Sequence, residues 1–322
     1  MRARRRDSHL FAALLAVLVG VNVALQTRIN GELGQRLDDG VYAAVVSFGV
    51  GLLCGLAFLA FSARIRNGLR LALRGFGRGD LRSWEFLGGL GGAAYVASQG
   101  VTVAALGVAL FTVCIVAGQT GNSLIVDKLG LGPGGARPLT TGRVAATVIA
   151  IGAVALGVSD RWDVGEFKPA FVIFVILAGS AAAFQQAFNG QVARVSGSPT
   201  VSSVVNFTVG FTALLLIVLG MHLASGDAFS ALPNPVSGDW WLYLGGPMGF
   251  AYTIGLAVVV RILGVLLFGL CSIAGQLSGA LLLDAFWPTS GGAVSWQLFA
   301  AVLLTFVAAT IAGRSATAGA RR

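Results

Sequence analysis

Long apolar windows separated by short polar segments follow one another along almost the whole chain. Each window is about 20 residues long, which is the length of helix that crosses a hydrocarbon core about 30 Å thick. A membrane β-barrel would instead show short segments that alternate apolar and polar residues, and the sequence has no such pattern. The pattern therefore predicts an all-α integral membrane protein. Its ten transmembrane helices are expected at residues 8–27, 41–61, 84–104, 106–126, 142–159, 169–187, 200–221, 240–260, 262–283 and 295–313.

Composition supports this fold class. Of the 322 residues, 56% are hydrophobic and 11% are charged, whereas a typical soluble domain carries about 25% charged residues. The first 20 residues have the basic and apolar regions of a signal peptide, but no convincing cleavage site follows. We expect this segment to remain as the first helix, because it has an internal counterpart later in the chain.

Positive charge is distributed unevenly between the two sides of the predicted topology. With the N-terminus in the cytoplasm, eighteen Arg and Lys lie on the cytoplasmic side and four on the other. The positive-inside rule then places both termini in the cytoplasm of a bacterial-type cytoplasmic membrane. This distribution explains the net charge of +9 without a nucleic-acid partner. The basic segment between the second and third windows lies where anionic lipid headgroups are expected.

The two halves of the chain repeat each other. At an offset of 159, Gln26, Asn30 and Phe48 meet Gln185, Asn189 and Phe207. At an offset of 157 the pairs are Trp84/Trp241, Gly88/Gly245, Gly92/Gly249, Tyr95/Tyr252, Phe111/Phe268, Cys114/Cys271, Gln119/Gln276 and Asp127/Asp284. Each copy, residues 1–160 and 161–322, contains five predicted spans, and an odd number means that the second copy is inverted. Inverted repeats that form one domain are a common transporter plan, with the substrate site near the midplane and alternating access.

The repeated motifs also resemble a known family. QTRINGEL and QQAFNGQV, the SF and NF pairs of the following helix, the WxxLGG openings and the two GQ-x7-D segments are similar to the YdcZ-like branch of the drug/metabolite transporter superfamily. The resemblance covers nearly the whole chain and is to the fused, two-repeat form. It implies an EamA-like fold of ten helices and export of small molecules, and it names no substrate.

Amide side chains inside the predicted spans are the main candidates for substrate contact, because a buried amide faces either a partner or a water-filled cavity. Gln119 and Gln276 follow Gly118 and Gly275 near the middle of their spans. They either contact substrate at the midplane or join two helices by hydrogen bonds, and the sequence leaves both alternatives open.

Further amides line two other predicted helices. Asn22, Gln26 and Asn30 form one stripe, with Gln185 and Asn189 on the equivalent helix. Asn30 and Asn189 each precede a glycine, so a helix C-cap is an alternative interpretation. Gln99 is a weaker pore-lining candidate. Tyr95 and Tyr252 are also weaker, because tyrosines near span ends often anchor a helix at the interface.

Two aspartates end equivalent spans on opposite sides of the membrane. A carboxylate at a helix C-terminus is disfavoured by the helix dipole, by about 0.3–1 kcal/mol. Asp127 and Asp284 are therefore interpreted either as paired gate or proton-binding residues or as solvated loop residues, with Asp127 then paired with Lys128, and the sequence leaves both alternatives open.

The remaining chemistry excludes several functions. No Asp or Glu lies at the centre of a predicted span, which favours a neutral or zwitterionic substrate. Three cysteines and two histidines form no metal-ligand pattern, so we expect neither a metal nor another cofactor. The main prediction is a secondary transporter, not an enzyme, whose partners are a small-molecule substrate and membrane lipids. A channel, a membrane scaffold and, less favoured, a lipid-modifying enzyme are the alternatives, and a homodimer is left open.

Overall fold

The computed structural model describes residues 2–136, 138–159, 168–226, 228–289 and 294–319. Helices and connecting turns make up this part of the chain, and it contains no strand, so the all-α prediction is confirmed. The predicted boundary between the halves, at residues 160 and 161, lies outside the described residues. The helices are α1 (Arg2–Leu37), α2 (Gly40–Phe61), α3 (Ala63–Arg78), α4 (Gly88–Lys128), α5 (Thr141–Val158), α6 (Pro169–Ser196), α7 (Pro199–Ser225), α8 (Gly245–Phe286) and α9 (Trp296–Gly319).

Helix α4 folds back on itself at Gly107. This residue has φ 78° and ψ 166°, a backbone conformation open to glycine and strained for other residues. A Cβ on Gly88, at the start of α4, would lie 2.6 Å from Asn189 Oδ1. Val126, near the end of α4, packs against Ala187. Because both ends of α4 lie beside the same end of α6, residues 88–106 and 108–128 form two limbs of opposite direction.

Helix α8 also changes direction relative to α1. A Cβ on Gly245 would overlap Asn30 Oδ1, and one on Gly255 would lie 2.6 Å from a methyl group of Val19. Further along, Gly275 adjoins Val17 and Gly279 adjoins Ala24. The first part of α8 therefore runs antiparallel to α1 and the last part runs parallel to it.

Membrane-spanning character is clear from length and hydropathy. Within the described residues, eight helical stretches are long and apolar enough to cross a membrane. Both limbs of α4 lie in one such stretch, Ser83–Lys128, and α8 contributes Leu267–Phe286. The protein is thus a multi-pass membrane protein, and the exact count of ten spans stays a prediction.

The helices pack in corresponding pairs: α1 against α8, α4 against α6, α5 against α9 and α2 against α7. The closest approaches occur at glycines. A Cβ on Gly20 would overlap the Ser272 carbonyl oxygen, and a Cβ on Gly179 would overlap the Ile115 carbonyl oxygen. Small residues allow this contact between helices in lipid, where no hydrophobic force draws apolar faces together.

Helix α3 is an element that the sequence analysis treated as a connecting segment. It begins after Ser62, whose extended backbone turns the chain away from α2 and whose side chain caps the Ile65 N–H at 3.5 Å. Its buried positions, Ile65, Gly68, Ala72 and Gly75, recur every three or four residues. This spacing forms one helical face, which packs on the turn between α6 and α7.

Candidate functional site

Four polar side chains form a buried cluster between α1 and α4. In this Gln99 cluster (Gln26, Thr27, Asn30 and Gln99), Gln99 donates to Thr27 Oγ1 at 2.9 Å and accepts from Asn30 Nδ2 at 2.7 Å. Gln26 donates to the Gly245 carbonyl oxygen at 2.9 Å, which ties α1 to the start of α8. No member is more than 7% exposed. The Gln99 cluster therefore fills the contact between α1 and α4 and leaves its side chains almost no access to solvent.

A second polar cluster joins α6 to α7. In this Asn206 cluster (Gln185, Asn189 and Asn206), Gln185 and Asn189 donate to the same acceptor, Asn206 Oδ1, at 2.9 and 3.0 Å. Gln185 and Asn189 are half-buried, so this cluster is more open than the Gln99 cluster. Asn206 was not among the predicted site residues, although the NF pair that contains it is a repeat motif.

The first limb of α4 connects the two clusters. Gly88 contacts Asn189, and Gln99 lies eleven residues further on. At 1.5 Å per residue this separation is about 16 Å. The two polar clusters therefore lie at two depths along α4. They do not consist of equivalent residues, because Leu256 occupies the repeat position equivalent to Gln99 and Ser47 occupies the position equivalent to Asn206.

Asparagines on α1 and α6 do not cap their helices. Helix α1 continues past Asn30 to Leu37, and α6 continues past Asn189 to Ser196, so the C-cap interpretation is wrong. Asn22, one turn before Gln26, donates to the Met248 carbonyl oxygen at 3.0 Å. All three polar side chains of the α1 stripe thus make contacts with other helices.

Tyr95 and Tyr252 both lie in the interior of the helix bundle, Tyr95 on α4 and Tyr252 on α8. Tyr95 packs against two buried apolar clusters, and Tyr252 packs against a third, which includes Val19 and Phe268. Tyr95 also packs edge-on against Phe111, with ring centroids 6.0 Å apart. These tyrosines are equivalent in the repeat and lie well inside their helices. Their position is central, whereas the sequence analysis had favoured an interfacial one.

The two predicted midplane glutamines lie at separate helix crossings. Gln119 lies where α4 crosses α6, and Gln276 lies where α8 crosses α1. Both are half-buried, and Gln276 Nε2 makes a long contact of 3.5 Å with Ser272 Oγ on its own helix. Within the described part of the chain, the Gln119 side chain has no hydrogen bond. Their role in substrate contact stays a prediction.

Asp284 caps the second limb of α4. Its carboxylate accepts from the Val108 and Ala109 backbone N–H groups at 2.9 and 2.7 Å, and the residue is only 2% exposed. These N–H groups begin a helix just after the reversal at Gly107, where the positive end of the dipole favours a carboxylate. The unfavourable dipole of its own helix is thus offset by the favourable dipole of another.

Asp127 has a different partner. It accepts from Arg143 Nη2 at 2.6 Å, and Arg143, which also contacts the Ser123 carbonyl oxygen, is 5% exposed. The structure therefore pairs Asp127 with Arg143, whereas the solvated alternative pairs it with Lys128. The sequence analysis counted Arg143 only among the loop charges, although it lies just inside the predicted fifth span, 16 residues after Asp127.

Comparison with known proteins places this architecture in a family. Residues 11–156, and again residues 170–311, match the family described as "Putative inner membrane exporter, YdcZ". The chain belongs to the YdcZ family. The match in two segments agrees with a fused, two-repeat member of the drug/metabolite transporter superfamily. This family description supports a membrane transporter, and together with the apolar helices it supports a multi-pass protein of the inner membrane.

A solved structure, described only as "Crystal structure of protein", has the same fold. It is 22% identical, the alignment covers 96% of this chain and 99% of that one, and the TM-score is 0.50. This likeness concerns the fold alone. Curated proteins give no significant match. Among the described residues, no three His, Cys, Asp or Glu side chains are grouped so that they could hold a metal ion.

The Gln99 cluster of this YdcZ-family protein gives a first testable prediction. Gln99→Leu leaves the buried Asn30 amide without its acceptor, and an unsatisfied buried group costs about 1–3 kcal/mol. We expect a lower unfolding temperature in detergent, measured by the fluorescence of a thiol-reactive dye or of tryptophan. Gln186→Leu, on the exposed face of α6, is the control and should unfold as the wild type does. An unchanged unfolding temperature for Gln99→Leu together with weaker substrate binding would instead make Gln99 a substrate ligand.

Proposed function

We propose that the protein is a secondary transporter that exports a small organic molecule across the cytoplasmic membrane by alternating access. In this proposal, residues 1–160 and 161–322 are two inverted repeats of five spans each, which together form one transporter domain. The observation that carries it is the correspondence between contacts in the two halves.

This correspondence extends to individual atoms. Gly20 of α1 meets the Ser272 carbonyl group of α8, and Gly179 of α6 meets the Ile115 carbonyl group of α4. Gly20 and Gly179 are 159 residues apart, and Ile115 and Ser272 are 157 apart, which are the two sequence offsets of the repeat. Exchanging the halves therefore preserves the contact. A twofold axis in the membrane plane would produce this correspondence.

The changes of chain direction within α4 and α8 support a count of ten membrane spans. If each limb of α4 is one span and α8 contributes two, each half has five spans and the second half must be inverted. The charge distribution then places the Asn206 cluster toward the cytoplasm and the Gln99 cluster toward the outside.

Closure differs between the two sides. The Gln99 cluster is fully buried, whereas Gln185 and Asn189 are half-buried. In the proposed mechanism this arrangement is one of two states, closed toward the outside and more open toward the cytoplasm. The other state exchanges the conformations of the two halves. The site then lies between the clusters, in the part of the bundle that contains Tyr95.

Asp127 and Asp284 act in this proposal as caps of helix N-termini, one in each of the two states. At the offset of 157, Gly107, Val108 and Ala109 correspond to Gly264, Val265 and Leu266. Asp284 caps Val108 and Ala109, and Asp127 is held by Arg143. In the exchanged state, Asp127 leaves Arg143 and caps the backbone at Val265 and Leu266, while Asp284 is released. The two carboxylates thus close opposite sides in turn.

Counterflow in proteoliposomes tests transport itself. Purified protein is reconstituted with a candidate unlabelled compound inside the vesicles, and uptake of trace labelled compound is measured. A carrier shows saturable, transient accumulation, whereas a channel shows flux without accumulation and a scaffold shows no flux. Candidate compounds come from a thermal-shift screen of neutral and zwitterionic metabolites, because the spans carry no central carboxylate that would hold a cation.

Gln119 and Gln276 are tested with the same screen. We expect the double variant Gln119→Ala/Gln276→Ala to lose the thermal shift given by an identified substrate. Both amides are half-buried, Gln276 makes only a long contact with Ser272, and Gln119 has no hydrogen bond within the described residues. The unfolding temperature of the double variant itself should change little, since the half-buried amides hold no strong helix contact. A retained ligand shift and intact counterflow would remove both residues from the substrate site.

A further inference from the structure

Helix α3 lies across the ends of membrane helices and does not cross the membrane. It is 16 residues long, about 24 Å at 1.5 Å per residue, and carries five arginines. A Cβ on Gly68 would lie 3.0 Å from the Ser196 carbonyl oxygen, and one on Gly75 would lie 2.6 Å from a methyl group of Val195. Because these contacts lie at the turn from α6 to α7, α3 is held at the level where transmembrane helices end.

The outer face of α3 is strongly basic. Arg64, Arg70, Arg74 and Arg78 are exposed. In the part of the chain that the structure describes, none of them forms a salt bridge. Arg70 donates only to Asn67, at 3.0 Å. Large apolar side chains flank this face, with Leu71, Leu73 and Phe76 each about half exposed. A basic face bordered by apolar side chains is typical of a helix at the interface between lipid and water.

A groove opens beside the first turn of α3. It has a volume of about 750 Å³ and runs between the end of α2 and the start of α7. One part is apolar, with Phe58, Phe61 and Ile254, and the other part carries Arg64, Ser198 and Thr200. Phe61 is 91% exposed and Ile254 is 37% exposed.

The groove faces lipid and not the central site. Ile254 is two residues from Tyr252, which at 100° per residue places their side chains on nearly opposite faces of α8. Tyr252 packs against the buried cluster that includes Val19 and Phe268, in the interior of the bundle. The groove is therefore on the periphery, apart from the proposed transport path.

We propose that α3 and this groove form a binding surface for anionic phospholipid of the membrane. The acyl chains lie in the apolar part against Phe58 and Ile254. The phosphate meets Arg64, and neighbouring headgroups meet the row formed by Arg70, Arg74 and Arg78. Charge complementarity selects an anionic lipid over a zwitterionic one, because each arginine near an anionic headgroup adds to affinity and the four exposed arginines form no salt bridge within the described residues.

Lipid retention measured by native mass spectrometry tests this surface. Purified protein in detergent is titrated with phosphatidylglycerol and, separately, with phosphatidylcholine. We expect tighter binding of phosphatidylglycerol. Arg64→Gln/Arg70→Gln should reduce that binding by about 25-fold, taking about five-fold for each arginine. Arg64→Lys/Arg70→Lys should retain most of that binding. Ala57→Trp, which fills the groove from an exposed position, should weaken the binding of the first phosphatidylglycerol molecule.

Arg194→Gln is the matched control, because Arg194 is an exposed arginine of α6 outside the surface. It should bind phosphatidylglycerol as the wild type does. Equal binding of both lipids by the wild type would overturn the proposal, as would undiminished binding by Arg64→Gln/Arg70→Gln. Displacement of phosphatidylglycerol by inorganic phosphate would also overturn it, by making the surface a site for free anions. These readouts are independent of transport.

Discussion

Asp284→Asn is expected to open the protein at the Gly107 reversal and to reduce counterflow strongly. The carboxylate accepts two buried backbone N–H groups, and hydrogen bonds to charged groups each contribute about 1.5–3 kcal/mol. The amide keeps one acceptor oxygen and loses the charge that the helix N-terminus stabilises. A loss of about 2 kcal/mol changes a two-state population about thirty-fold. The measurement is the rate of labelling of a single cysteine placed near Gly107, in protein whose native cysteines are replaced.

Asp127→Asn is the matched variant, because it changes the equivalent residue in the other half. If the two carboxylates cap opposite sides in turn, Asp127→Asn removes the cap of the other state and should make the Gly107 side less accessible. Both variants should lose counterflow while labelling moves in opposite directions. Labelling that moves in the same direction in both variants would contradict alternating caps and would indicate a general loss of stability.

Arg143 is one difference between the surroundings of the two aspartates. It stands at position 143, whereas Ala300 stands 157 residues later, so the ion pair between Asp127 and Arg143 has no counterpart at that position. Asp127 is 29% exposed in its ion pair, a setting in which its charge is partly solvated. Asp284 is buried on backbone N–H groups. Equivalent residues thus have unequal surroundings, as expected of one conformational state of an inverted repeat.

Much of the fold was predictable because membrane helices are specified by local composition. A run of about 20 apolar residues fixes a helix without knowledge of its neighbours, since backbone groups in lipid must bond within the segment. The repeat was equally visible, because Gly88, Gly118 and their equivalents mark close helix contacts that only small residues permit. These features carried the family assignment.

Side-chain partners were less predictable, because they depend on long-range packing. Asp284 and Val108 are 176 residues apart, and no local pattern shows that a carboxylate will meet the N–H groups after Gly107. Asn206 was visible only as part of an NF pair, and Gln99 gave no repeat signal because Leu256 replaces it. Helix α3 was missed because the segment between the second and third predicted spans carries six arginines, which suggested a loop. The buried positions of α3 nevertheless recur with helical spacing.

Gly20→Ala and Gly179→Ala are expected to destabilise the protein by similar amounts, about 3 kcal/mol each, because an added Cβ would overlap a backbone carbonyl oxygen that cannot move alone. Thermal unfolding in detergent measures the effect. Gly152→Ala has no atom within 4 Å of the new methyl group and should be neutral or slightly stabilising. Gly49→Ala meets only the Phe211 ring, at 3.2 Å, and should fall between them. If Gly20→Ala or Gly179→Ala cannot be purified, its expression level relative to that of Gly49→Ala gives the same ranking. Because the two crossings are equivalent under exchange of the halves, a large effect at one and none at the other would contradict the inverted repeat.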